Sequence, residues 1–262
     1  MNAQIKGWFG MKKLGILAHS AEGAALCFRA FCQEGFHELG PHEHPDVTVD
    51  CIAMGRSMNA WDEADYPAIR DTLALSAARL ARAGADFFVC PDNTAHIALE
   101  VPGEELPIPG LHLPDVVSEA AARAGRERVG VLGTKYLMGD QIYPRTLAAR
   151  GIGAVVPGAE DRALVDGIIF GELVNGVFSD SSRAAYVRVI DRLAAKGCDA
   201  VALVCTEIPL LITPDDSPLP VLDSTRLLAR AAFEVCSGRR DAPSWRGGPM
   251  TVPMDDAAHD RA

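Results

Sequence analysis

The sequence has no excess of basic residues. Lysine and arginine number 25 against 35 aspartates and glutamates, a formal net charge of −10. With no basic stripe to neutralise phosphates, nucleic acid is not an expected partner. An anionic membrane surface is disfavoured on the same ground. No apolar run reaches the roughly 18 residues that a membrane-spanning helix needs. Met1 to Met11 has no apolar core of signal-peptide length, so a cytoplasmic protein is expected. The seven cysteines include no C-x-x-C pair, which points away from a structural zinc site or a disulfide framework. Most of them read as small core hydrophobes. His42-x-His44, with His37 nearby, lacks a carboxylate or cysteine at helical ligand spacing. It reads as a solvated loop, and no metal is expected.

What is present is ordinary for a globular protein: 48% hydrophobic and 23% charged residues over 262 positions. That length accommodates two modest α/β domains or one large one. Two stretches organise it. Phe87 to Val89 is a short apolar run that reads as a buried parallel strand, and Cys90-Pro91-Asp92-Asn93-Thr94-Ala95-His96 follows it. A second copy ends in Leu203-Val204-Cys205-Thr206-Glu207. A constant offset of 113 residues pairs Gly84 with Gly197, Asp86 with Asp199, and Asp92 with Cys205. Each unit thus delivers a reactive side chain at the carboxyl end of a strand, where open α/β sheets bind ligands.

Strands are expected at Lys13–Ala18, Val47–Ala53, Val129–Leu132, Ala154–Val156, Asp199–Val204 and Leu219–Leu222. A short extended piece is expected near Ile108–Leu111. Helices are expected at Ala24–Glu34, Tyr66–Ala83, Asp115–Ala124 (capped by Asp115), Gly139–Arg150, Asp161–Asn175, Ser182–Lys196 and Ser224–Val235. Met54 to Asp62 reads as a polar loop, and the segment from Ser237 as a mobile tail. The alternation predicts an α/β protein with two doubly wound parallel-sheet domains, related by a pseudo-two-fold axis, with the active site in the interdomain cleft. The expected division is 1–112 with 223–236, then 113–222, then a tail from 237 to 262.

Two proton carriers on opposite faces of a trapped molecule invert a stereocentre without a cofactor: one removes a proton and the other returns one. Asp92 and Cys205 are the candidates. Cys205 would act as a thiolate, its pKa brought below about 8.5 by the following helix start. Asn93, Thr94 and Thr206 are placed to hold a substrate carboxylate. Ser20 is either a helix cap only or also a ligand contact. Arg56 and Ser57 either hold a carboxylate or lie on the surface. A carboxylate of reference pKa near 3.9 is a weak base for a Cα proton, and a dry cleft would raise it.

Asp92-Asn93-Thr94-Ala95-His96 together with Cys205-Thr206-Glu207-Ile208-Pro209-Leu210-Leu211 resembles the aspartate/glutamate racemase family. Gly133-Thr134-Lys135-Tyr136, Tyr143 and Leu222-Asp223-Ser224-Thr225 are similar to further blocks of it, so that the resemblance runs from Lys13 to Val235. It implies a cofactor-independent isomerase acting on a small carboxylate or amino acid, and a homodimer. It implies that Thr134 binds substrate and that Glu207 supports the thiol or the substrate ammonium. Glu207 also reads as a helix-start carboxylate. One departure stands out. Where family members with two cysteines place the first directly before Asn-Thr, this chain has Asp92, with Cys90 two residues earlier. Either Asp92 or Cys90 is then the second base. The substitution leaves open a decarboxylase or cis-trans isomerase using Cys205, and a non-catalytic binding relative.

Overall fold

The computed structural model describes residues 10–250. The chain divides into two compact units, one built from residues up to Leu113 with Thr225–Pro249, the other from Pro114–Ser224.

The first unit runs β1 (Leu14–Ala18), α1 (Ala21–Leu39), β2 (Val47–Cys51), a 3-10 turn (Met54–Arg56), α2 (Met58–Asp62), α3 (Tyr66–Arg82), β3 (Phe87–Val89), α4 (Ala95–Leu99) and β4 (Gly110–Leu111). Its four strands are parallel in the order β2-β1-β3-β4. β1 and β3 are buried along their whole length, as expected of inner strands covered on both faces. Ser20 caps α1 by accepting the Gly23 N–H at 3.3 Å, and Asp65 caps α3 through the Ala68 N–H at 3.1 Å.

The second unit runs α5 (Leu113–Arg123), β5 (Arg128–Leu132), α6 (Lys135–Gly139), α7 (Ile142–Ala148), β6 (Gly153–Val155), α8 (Ala159–Gly171), a 3-10 turn (Leu173–Asn175), α9 (Asp180–Ala195), β7 (Ala200–Leu203), α10 (Ile208–Leu211) and β8 (Val221–Asp223). Its sheet, again parallel, has the order β6-β5-β7-β8. The two orders are the same order, shifted by four strands. Val165, Ile169, Tyr186, Val189, Leu193, Val201 and Leu203 form the core between α8, α9 and this sheet. α11 (Ser224–Cys236) then rejoins the first unit, where Phe233 meets Phe31 edge-on at 6.3 Å.

The repeated Gly-x-Asp motif has one structural meaning in both units. Gly84 and Gly197 take left-handed φ values of 80° and 84°, which terminates α3 and α9 in the manner glycine permits. The next residue's N–H then returns to the helix, Ala85 to the Leu80 carbonyl and Cys198 to the Leu193 carbonyl, both at 3.1 Å. The aspartate receives the start of the neighbouring strand. Asp86 accepts the Lys13 N–H at 2.7 Å. Asp199 accepts those of Glu127 and Arg128 at 2.8 and 3.1 Å.

Several expectations are corrected. Met54 to Asp62 is a 3-10 turn and a helix, anchored by the buried Trp61 ring. α1 reaches Leu39 and so takes in His37. Gly139–Arg150 is interrupted: Asp140 is extended and accepts the Ile142 N–H at 2.8 Å, which ends α6 and starts α7. Asp115 lies inside the first turn of α5 rather than capping it. Within the segment expected as a tail, Trp245 is buried, its ring 6.2 Å from that of Phe88. The rest of the expected tail, 251–262, lies outside the described residues. Among those described, no helix is long and apolar enough to cross a membrane.

Candidate active site

In both sheets the strand order reverses between the first and third strands of the unit, and that switch point is where open α/β sheets receive ligands. In the first unit β1 and β3 pair as Leu14↔Phe87 through Ile16↔Val89. Continuing this register past the strand ends sets His19 beside Asp92. In the second unit Val129↔Ala200 through Leu132↔Leu203 continues to set Thr134 beside Cys205. The offset that pairs Asp92 with Cys205 thus has a partner: His19 and Thr134 occupy corresponding places.

In the first unit His19 Nδ1 lies 2.6 Å from Asp92 Oδ2, with the His19 ring buried and the Asp92 side chain 12% exposed. The other oxygen, Oδ1, accepts the Ala95 N–H at 3.1 Å. Burial pushes the Asp92 carboxyl up. The hydrogen bond and charge of His19, the Ala95 N–H and the charge of His96 outweigh it, and Asp92 is held below the ordinary carboxylate value. That corrects the expectation of a raised value: the dry environment is present, but it comes with a hydrogen-bond partner at 2.6 Å. His19 Nε2 is buried without a hydrogen-bond partner among the described residues, and the ring meets Trp61 edge-on at 6.2 Å.

Behind this pair, His96 Nε2 accepts the Leu113 N–H at 3.1 Å. A backbone N–H can only donate, so Nε2 carries no proton. The proton is therefore on Nδ1, which donates to the Asp92 carbonyl oxygen at 2.9 Å. Burial and the charge of His112 hold the His96 pKa down at about 4. His96 is a neutral brace for the Asp92 loop. Cys90 is completely buried, and burial together with the Asp92 charge pushes its thiol well up.

Of the other expected residues in this unit, Asn93 is buried and Thr94 partly so, at the turn leading into α4. Ser20 is spent, at least in part, on capping α1. Arg56 is exposed, at the end of the 3-10 turn after β2. Ser57 is buried, its hydroxyl without a partner among the described residues. β2 borders β1, so these groups share one edge of one sheet with His19 and Asp92.

In the second unit Cys205 follows β7 and is 8% exposed. Its Sγ donates to Glu207 Oε2 at 3.0 Å, and the Thr206 hydroxyl donates to the same oxygen at 2.8 Å. The Glu207 carboxylate thus orients both the thiol and the hydroxyl. Thr134 caps α6 through the Leu137 N–H at 3.3 Å. Lys135 turns its ammonium over the Tyr136 ring, 5.0 Å from the centroid. Among the described residues no group of three His, Cys, Asp or Glu side chains could hold a metal ion.

His19 is the site residue that composition and motif spacing alone do not single out. The signal was available: aligning the apolar cores of β1 and β3 brings position 19 level with position 92.

Two parallel sheets of the same strand order, each with an ionisable side chain at its switch point, define a class of two-unit α/β proteins. A model of the Asp/Glu/hydantoin racemase family matches residues 25–232, and the chain belongs to that family. It is 23% identical over 201 residues to the broad specificity amino-acid racemase RacX of Bacillus subtilis, covering 77% of this chain and 86% of that one. A candidate Asp/Glu racemase from Yersinia pestis is similar at 30% identity and a TM-score of 0.76, over 86% of this chain and 99% of that one. An aspartate racemase homologue from Pyrococcus horikoshii is similar at 26% identity and a TM-score of 0.71, over 87% and 100% of the respective chains.

Proposed function

We propose that the protein is an amino-acid racemase or epimerase working without a cofactor, with Asp92 of the first unit and Cys205 of the second as its proton carriers. One observation carries the reading. Asp92 and Cys205 follow equivalent strands of two sheets of the same order, and each is bonded to a group that can share its proton, His19 and Glu207. In one direction Cys205, in its thiolate form, takes the Cα proton and becomes a thiol. The electron pair left on Cα delocalises into the substrate carboxylate, which Asn93, Thr94 and Thr206 stabilise. The Asp92–His19 pair then gives a proton to the other face of the carbon. In reverse the roles exchange. No electron leaves the substrate, so the reaction balances with side chains alone.

Asp92 is favoured over Cys90 as the first carrier, because Cys90 is fully enclosed in the sheet and its thiol is pushed away from ionisation. The substrate is a small amino acid, with aspartate and glutamate first among those to try, and a homodimer is the expected assembly. Incubation in D₂O with both enantiomers of a panel of amino acids tests the reading. Deuterium at Cα with optical inversion is expected for at least one; the absence of both across the panel speaks against it.

A second reading has its own support. The low pKa direction of Asp92 makes it a poor acceptor of a Cα proton. A decarboxylase or cis-trans isomerase relying on Cys205 needs no such acceptor. Carbon dioxide release or double-bond isomerisation from a dicarboxylic acid, without inversion of any amino acid, would favour it.

A further inference from the structure

The segment after α11 lies beyond the residues matched by the family model, which ends at residue 232. It is nonetheless tied closely to the part of the first unit that carries Asp92. The Gly110 N–H donates to the Trp245 carbonyl at 2.8 Å, at the start of β4. The Leu106 N–H donates to the Arg246 carbonyl at 2.9 Å, and the Arg246 guanidinium returns a bond to the Leu106 carbonyl at 2.9 Å. The Gly248 N–H donates at 2.9 Å to the carbonyl of Leu99, the last residue of α4. The Trp245 indole N–H closes the turn on the Gly248 carbonyl at 3.0 Å.

Inside this strap the Trp245 ring lies parallel to His96, with centroids 5.9 Å apart and planes within 13°. His112, itself 2.7 Å from Glu100 Oε1, meets both rings edge-on, at 5.3 Å from His96 and 4.9 Å from Trp245. A buried imidazole can turn about its last side-chain torsion, which is a soft one. The indole face removes that freedom. With the ring plane fixed, Nδ1–H stays on the Asp92 carbonyl while Nε2 stays on the Leu113 N–H. The Asp92 backbone is thereby held where its carboxylate reaches both His19 and the Ala95 N–H.

We propose that Trp245 is a positioning residue for Asp92, acting through the plane of the His96 ring, and that residues 245–248 form a strap whose role is to hold that loop. The catalytic consequence rests on the reading of Asp92 as a proton carrier; the structural one does not. The test uses the full chain with Trp245→Phe, Trp245→Leu and Trp245→Ala. Three quantities are read: the ring nitrogen signals of His96, the acid titration of the Asp92 carboxyl by carbon NMR, and kcat and KM in the D₂O assay. In the parent and Trp245→Phe, which keeps an aromatic face, His96 shows a single Nδ1–H form. In Trp245→Leu, which keeps the burial without the face, that form is lost or exchanges. The Asp92 titration moves up by about one unit, and kcat falls about tenfold with KM within about twofold.

If Trp245→Ala does not fold, the Phe and Leu variants decide. A folded Trp245→Leu protein with the parent's His96 form and Asp92 titration overturns the proposal, since the strap would then be packing only. If the parent exchanges no Cα proton at all, the racemase reading fails, while the two NMR measurements still decide the strap.

Discussion

His19 and His96 both meet Asp92, but they do different things. His19 bonds the carboxylate itself, so its loss should let the Asp92 value return upward. His19→Asn is expected to move the acid limb of the kcat profile up by about one pH unit, read as the midpoint of rate against pH. His96 holds the backbone carbonyl and stays neutral, with a pKa of about 4 in the folded protein against about 6.5 in an unfolded chain. As pH falls below about 6.5, the unfolded chain takes up a proton that the folded one refuses, so stability drains away until both are protonated near pH 4. Between pH 7 and pH 5 the loss is about 2 kcal/mol. His96→Gln removes this dependence. Denaturant midpoints at the two pH values should differ less in the variant than in the parent by that amount. Neither role could be read from residue type. Each depends on which atom of which ring faces Asp92, and that comes from strand register and from the packing of Leu113 and Trp245.

At the scale of elements, the sequence was most legible where a helix ends and a strand begins. The Gly84–Asp86 and Gly197–Asp199 turns stand out because a left-handed glycine and a strand-capping aspartate are local requirements, and local requirements leave fixed spacings. Gly197→Ala should cost about 1–2 kcal/mol, the penalty for an L-residue in that backbone region, seen as a lower thermal midpoint. Gly84→Ala should behave alike, since nothing crowds either position and the cost is conformational alone. The strands were legible from apolar runs, Phe87–Val89 to the residue. α2 was not, because Gly55, Ser57 and Asn59 suggest a loop, while Trp61, which holds the segment as a helix, does so through tertiary burial. The strap was illegible for a related reason. Its composition is polar, and a single tryptophan supplies the anchoring.

For the whole molecule, the proposed chemistry divides between two units, and that division is testable. Asp92→Asn should abolish inversion while leaving Cys205 able to exchange the Cα proton of one enantiomer. Proton NMR in D₂O would then show exchange of one hand only, and equal exchange of both hands would contradict the assignment of one carrier to each unit. The paired sheets were foreseeable from the 113-residue offset, because that repeat records equivalent positions on two sheets of one order. The distribution of sulfur has a practical consequence as well. Of the seven cysteines only Cys51 is exposed. A native-state titration with a chromogenic disulfide should therefore register one fast equivalent. Once Cys51 is replaced by serine, any remaining slow labelling can be assigned by peptide mass mapping. Its protection by a candidate amino acid would turn Cys205 into a built-in gauge of occupancy, usable before any turnover has been found.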